Sequence, residues 1–282
     1  MTLRTRFPTP LVLCLAIAVV VPPASASTTD TAPTPAAPVD AVTGEPIPAA
    51  AARQVDGAEP ASVPAGRTGD LELLAHLAEG TTKSVRLLGD VAVWQNGAYL
   101  EAHDISTPAS PTPVGRILLP AQPSDMAVVG DLLYVALRKD AGLLVLDYGD
   151  PAAPTVAARL PGLDLLSVAV DGDLAYCGLG LDGLTVIDLA AAGGPAQIAT
   201  IDTPGSANGT AVMGETLLVA LGADGFGTYD VSDPTSPTQL ALWPTTGFCT
   251  YVQERDGAAY LAGAFGLEIL DVSDPAAPFL LG

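Results

Sequence analysis

From residue 84 to its end the chain repeats itself, and this repeat limits the fold more than any other feature. A Gly ahead of a short apolar run recurs at Gly89, Gly130, Gly172, Gly214 and Gly257, at intervals of 41, 42, 42 and 43. An Asp that closes the next run recurs at Asp104, Asp147, Asp188, Asp230 and Asp271, at intervals of 43, 41, 42 and 41. Two separate markers thus keep one period of about 42 residues. A unit of roughly 40–45 residues holding several short strands is the size of a β-propeller blade.

Each unit divides into four strands. In the second, the pattern predicts strands at 125–129, 132–137, 143–147 and 155–160. In the third it predicts 167–170, 174–179, 184–188 and 197–201. Gly, Asp and Pro gather in the turns between them, where positive or fixed φ is needed. Leu132-Leu133-Tyr134-Val135-Ala136-Leu137 is apolar at every position. Such a strand needs cover on both faces, and a blade between two neighbours has it. The gaps between strands are too short for crossover helices, so a helix-covered parallel sheet is excluded. The expected fold is all-β: a five-bladed propeller of four-stranded blades. Residues 71–77 read as a fourth strand and are expected to close the ring by completing the last blade, whose own fourth strand is only starting at 279–281.

The third-strand segments Gly142-Leu143-Leu144-Val145-Leu146-Asp147 and Gly183-Leu184-Thr185-Val186-Ile187-Asp188 resemble the LVIVD repeat of exported bacterial and archaeal propeller proteins. Gly266-Leu267-Glu268-Ile269-Leu270-Asp271 is a third such segment. The Asp-Pro-x-x-Pro turn that follows is complete at 150–154, 233–237 and 274–278. Two units depart from the pattern. Tyr99 stands where the first would carry Gly, and Ala191-Ala192-Gly193-Gly194-Pro195 replaces the acidic turn of the third. The resemblance implies a propeller in an extracellular setting and implies no reaction.

The chain opens with Arg4 and Arg6, an apolar run from Leu11 to Val21, and Ala24-Ser25-Ala26. This is the three-part pattern of a secretory signal peptide, with cleavage expected after Ala26. The run is shorter than the roughly 20 residues a spanning helix needs, so no stable membrane span is expected. Leu13 before Cys14 is too large for a lipoprotein signal. Residues 27–70 are rich in Pro, Ala and Thr and are expected to form a disordered linker. The propeller then occupies 71–282, and the protein is expected to be secreted or held at the cell envelope.

Acidic residues outnumber basic ones 31 to 11, for a net charge of −20. That surface repels phosphate backbones, so no nucleic acid is expected as a partner. Two readings stand for Cys177 and Cys249: a disulfide of an oxidising compartment, or two small buried side chains.

The residues that carry chemistry do not converge. The repeated Asp147, Asp188, Asp230 and Asp271, with Gly130, Gly172, Gly214 and Gly257, read as structural positions, because a strand-end Asp accepts turn N–H groups. Asp140, Asp182 and Asp224 lack the alternation of a calcium loop and read as turn residues. His76 and His103 are the only histidines. With two cysteines they build no zinc site. No G-x-S-x-G elbow accompanies them, so no triad is assigned. No cofactor, metal or catalytic residue is expected.

The loops joining one blade to the next repeat least, and loops on a rigid scaffold carry function. They hold Asp125, Asp164 and Asp202, and the aromatics Trp243, Phe248 and Tyr251 lie in or beside the last of them. These six are the candidate binding residues. The expected function is a monomeric, non-enzymatic binding module for an extracellular protein or carbohydrate. The alternative is a carbohydrate-active hydrolase or lyase using the loop carboxylates.

Overall fold

A computed structural model describes residues 39–40 and 84–281. The expected signal peptide, most of the linker, and the ring-closing strand at 71–77 lie outside the described residues. Strand β1 (Val39–Asp40) comes first. The first blade is β2 (Val85–Leu88), β3 (Val91–Asn96), β4 (Tyr99–Asp104) and β5 (Thr112–Leu118). The second is β6 (Pro123–Val129), β7 (Leu132–Leu137), β8 (Gly142–Asp147) and β9 (Thr155–Leu160). The third is β10 (Ser167–Asp171), β11 (Leu174–Gly178), β12 (Leu184–Asp188) and β13 (Ala196–Ile201). The fourth is β14 (Gly209–Met213), β15 (Thr216–Ala220), β16 (Phe226–Asp230) and β17 (Thr238–Trp243). The fifth is β18 (Cys249–Arg255), β19 (Ala258–Gly263), β20 (Gly266–Asp271) and β21 (Phe279–Leu280). The expected strands are borne out to within two residues at either end.

Every blade is an antiparallel meander in chain order. In the first, β1 adds itself in parallel to the outer strand, with Val39 opposite Ile117 and Asp40 opposite Leu118. The first strands of successive blades pack in the order β2, β6, β10, β14, β18. Among the described residues two prolines fall inside strands, and both are placed where a missing N–H does little harm. Pro123 opens β6, and Pro113 is the second residue of the outer strand β5.

The core is not central but lies between blades. In the inner blades one face looks back to the preceding blade and the other, the trailing face, looks on to the next. Val93, Leu100 and Ala102 on the trailing face of blade one pack against Leu133, Val135, Leu144 and Leu146 of blade two. Tyr134, Ala136, Leu143 and Val145 then meet Val168, Ala175, Cys177 and Ile187 of blade three. Tyr176, Leu184 and Val186 meet Leu217, Val219 and Tyr229 of blade four. Leu218, Ala220 and Phe226 meet Ala259, Leu261 and Leu270 of blade five. This is why β7 and β8 read apolar on both faces: each face belongs to a different interface. Cys177 and Cys249 are separate buried thiols in two of these interfaces. The reading of two small buried side chains therefore describes them. Burial pushes the Cys249 thiol up to about 12 and the Cys177 thiol higher.

The first hairpin of each blade explains the uneven Gly spacing. Gly89, Gly130, Gly172 and Gly214 each take a positive φ at the first of two turn positions, the type II′ pattern. In blade five the order is reversed: Asp256 (φ 54°) and Gly257 (φ 79°) are both positive, the type I′ pattern. The last Gly is therefore displaced by one while the strands keep register. Tyr99 needs no Gly because the first blade turns on Gly97-Ala98 instead, with Asn96 opposite Tyr99.

The Gly that opens the third strand has a different reason. Gly183 has φ +80°, and a Cβ on it would lie 2.1 Å from the Ile201 carbonyl oxygen. Gly172, at a hairpin tip, has φ +54° and open space around it. Gly172→Ala is expected to cost about 1–2 kcal/mol, from the left-handed conformation alone. Gly183→Ala adds a backbone clash and is expected to exceed that, at about 3 kcal/mol. Urea unfolding of the two variants compares them, and equal costs would remove the close-approach argument.

Candidate binding surface

The antiparallel order puts the loops between blades and the loops between second and third strands at one end of the array. Hydrogen bonds tie the two sets together. Leu165 N donates to the Leu137 carbonyl at 3.0 Å, linking blade three to blade two. Gly180 and Ala207 exchange N–H···O bonds at 3.1 and 2.9 Å. Gly222 and Cys249 do the same at 3.0 and 2.8 Å. The loop end is therefore a continuous rim, stitched from blade two to blade five by its own backbone.

The opposite end holds the repeated aspartates. Asp104, Asp147, Asp188, Asp230 and Asp271 each accept the N–H two residues ahead, at 2.7–2.9 Å. In all five blades the next residue donates its N–H to the first hairpin, as Tyr148 does to the Asp131 carbonyl at 2.8 Å. Asp150, Asp233 and Asp274 cap their Asp-Pro turns in the same way. Hydrogen bonds from Ser232, Thr235 and Ser273 hold Asp230, Asp233 and Asp271 below the ordinary carboxyl range. These carboxylates accept the N–H groups of their own turns.

Asp125 is different. The same register position carries Ser84, Ser167, Gly209 and Tyr251 in the other blades, so this carboxylate is unique to blade two. Its Oδ1 pairs with Arg86 of blade one at 2.9 Å, and its Oδ2 accepts Val168 N–H of blade three at 3.1 Å. One side chain thus bridges three blades along the innermost strands. Ser124 beside it donates to the Leu165 carbonyl at 2.6 Å. One blade further on, the Thr210 and Ser167 hydroxyls lie 3.1 Å apart. Burial raises the Asp125 carboxyl above 3.8, outweighing the opposing pull of Arg86 and the Val168 N–H.

The other candidates occupy separate environments. Asp164 takes Arg138 Nε at 2.9 Å and Lys139 N–H at 2.7 Å, which locks the loop of blade two. Asp202 is exposed after β13, with no hydrogen bond or ion pair among the described residues. Trp243 is partly buried against the interface of blades four and five. Phe248 is half exposed on the rim, with its ring over Gly222; a Cβ there would lie 3.0 Å from Phe248 Cζ. Tyr251 stands on the trailing face of blade five. No interaction joins any two of the three carboxylates.

Leu181 was not among the sequence candidates. It is 90% exposed at the tip of the loop before β12. Its signal was available: Lys139 and Ala223 hold the same place in neighbouring repeats, so an apolar tip there departs from the pattern. Asp182 and Asp224 flank this rim, exposed and without an ion pair among the described residues. A shallow depression lies at the rim between blades one and two, between Gln95, Gly97, Leu119 and Gln122. Among the described residues no group of His, Cys, Asp and Glu has metal-binding geometry. No described helix is long and apolar enough to cross a membrane.

The LVIVD repeat model matches five times, at residues 79–118, 122–160, 164–203, 204–241 and 257–282. The chain belongs to the LVIVD repeat family. Each match falls on one blade, and the strand that gives the LVIVD repeat its name is the third, buried on both faces in blades two and three. No curated protein matches the chain. Among solved structures, the computationally designed Ika8 protein is similar at a TM-score of 0.53 and 9% identity. The match covers 69% of this chain and 59% of the designed one, so the chain spans less than two thirds of that protein. At this identity the likeness concerns the fold alone. The computationally designed Ika4 protein matches at a TM-score of 0.44 and 9% identity, over 58% of this chain and 93% of its own.

The two kinds of carboxylate are expected to be shifted in opposite directions from the ordinary carboxyl value. A carboxyl held above 3.8 in the fold contributes stability at low pH that is lost as pH rises through its folded value. One held below 3.8 contributes stability that is lost as pH falls through its folded value. Carboxyl-detected NMR should therefore place Asp125 above 3.8 and Asp230, Asp233 and Asp271 below it. In Asp125→Asn, the fall in stability as pH rises from 3.8 should flatten. An Asp125 that titrates with the surface group would contradict its burial.

Proposed function

We propose that this protein is an exported, non-enzymatic binding module that presents its loop rim to an extracellular protein or carbohydrate. The N-terminal segment 27–70 acts as its tether. The observation that carries this reading is the rim itself. Backbone hydrogen bonds make it rigid, and it displays Leu181 and Phe248 with Asp182, Asp202 and Asp224 around them. Exposed apolar side chains on a preorganised surface lose little conformational entropy on binding. They are the anchors on which interfaces depend, with charged groups as the rim.

The competing reading is a carbohydrate-active hydrolase or lyase. It draws on the raised Asp125 carboxyl, which resembles the acid such chemistry needs. A glycosidase also needs a second carboxyl about 5–10 Å away. Asp125 instead faces a guanidinium, and Asp164 is engaged by its own loop.

The two readings separate on one set of variants. Binding of the purified chain to isolated cell envelopes is expected to fall at least tenfold in Leu181→Asp/Phe248→Asp and to persist in Asp125→Asn and Asp164→Ala. No reducing sugar should be released from a panel of polysaccharides by any of them. Release that disappears with Asp125→Asn would overturn the binding module. Envelope binding indifferent to the rim variants would move the contact surface elsewhere.

A further inference from the structure

The chain has two asparagines, Asn96 and Asn208, and each is followed by glycine. An asparagine holds its amide carbon close to the next backbone nitrogen, and a glycine there has no side chain to screen that nitrogen. The fold treats the two sites differently. Asn208 is locked. Its Nδ2 donates to the Ser206 carbonyl at 2.9 Å, and its Oδ1 accepts the Ser206 hydroxyl at 3.0 Å. Both polar ends of the amide are thus held by residue 206 and are not left to turn onto residue 209. The Asn208 N–H donates to the Ala220 carbonyl at 2.9 Å. Gly209 is buried in β14 opposite Ala220, and a Cβ on it would lie 2.8 Å from the Thr250 carbonyl oxygen of blade five. The backbone at 208–209 cannot swing without opening the contact between blades four and five.

Asn96 has none of this restraint. It ends β3, and the two residues after it, Gly97 and Ala98, are exposed at the loop end of blade one. Gly97 has φ +61° and nothing within 4 Å of where a Cβ would stand. Among the described residues its N–H has no backbone acceptor. Gln95 Nε2 donates to the Gly97 carbonyl at 3.1 Å, which fixes the peptide after Gly97 and not the one before it. The Asn96 side chain is held across the hairpin through Nδ2, which donates to Glu101 Oε1 at 3.1 Å. That bond engages the nitrogen of the amide and leaves its carbon open.

We propose that Asn96 is a site of spontaneous deamidation, a slow self-modification of the loop end where blades one and two meet. The Gly97 nitrogen attacks Asn96 Cγ, and the Cγ–Nδ2 bond breaks. Nδ2 leaves as ammonia, taking the proton that the Gly97 nitrogen gives up. The cyclic imide that remains takes up one water at either of its carbonyls. Opening on one side gives aspartate, and opening on the other gives isoaspartate, in which the chain runs through Cγ. Water is the only co-reactant. Either product alters the hairpin. A carboxylate replaces the amide that donates to Glu101, and two carboxylates at that separation repel. Isoaspartate also lengthens the backbone of a tight turn whose register depends on its length. The depression between Gln95, Gly97, Leu119 and Gln122 changes with it.

Peptide mapping by mass spectrometry tests this on the full chain, kept folded at about pH 8 and about 37 °C. Trypsin leaves Asn96 in the fragment 87–116 and Asn208 in the fragment 160–255. With time, fragment 87–116 is expected to gain the mass of OH in place of NH2 and to separate into aspartate and isoaspartate forms. Conversion at Asn96 should run at least tenfold faster than at Asn208, and faster as pH rises, because the Gly97 nitrogen must lose its proton. In guanidinium the unfolded chain should convert both sites at similar rates, since only the fold distinguishes them. Asn96→Gln should hold fragment 87–116 at its starting mass. An Asn96 that stays intact in the folded chain while the unfolded chain converts would overturn the proposal. So would equal conversion of Asn208 in the folded chain, or a mass gain that persists in Asn96→Gln.

Discussion

The structure depends on one packing relation, the face-to-face contact of each blade with the next. A four-stranded sheet that is apolar on both faces is insoluble alone and stable only between two others. The repeat meets this by making the trailing face of one blade complementary to the leading face of its successor. Leu143 and Leu144, adjacent in sequence, therefore serve different interfaces, one toward blade three and one toward blade one. With aromatics at only 5% of the sequence, these interfaces are filled mainly by Leu, Val, Ile and Ala. Stability in such an array accumulates along the stack rather than toward a centre.

Polar groups hold the stack in register. At one end the strand-end aspartates fasten each turn to its own blade. At the other, backbone bonds join a loop of one blade to the entry loop of the next. Along the innermost strands Asp125, Ser124, Ser167 and Thr210 carry side-chain contacts across the interfaces. The division has a functional consequence. The loop end is both the least repetitive part of the sequence and rigid in the fold, which suits a binding surface better than a flexible lid does.

The fold was legible because its rules are local and periodic. Gly-aliphatic-Asp segments, turn residues and a spacing of about 42 residues each follow from the geometry of a short antiparallel strand. The 43-residue interval to Gly257 reflects a reversed turn rather than a shifted strand. The candidate site was less legible. Asp125, Asp164 and Asp202 were equivalent as letters in loops, yet one is a buried three-blade bridge, one an ion-paired loop lock and one free in solvent. Trp243, Phe248 and Tyr251 are close in sequence, but a strand, a rim and an open sheet face receive them.

What the sequence by itself determined is the strand, the turn and the count of blades, because these depend on residues within one period of each other. What only the tertiary structure decided is which faces are covered and which charges are paired, because cover and partners come from the neighbouring blade. Tyr260 illustrates the difference. Its repeat position matches that of Tyr134 and Tyr176, but those two have a following blade against them, and among the described residues Tyr260, 36% exposed, has none.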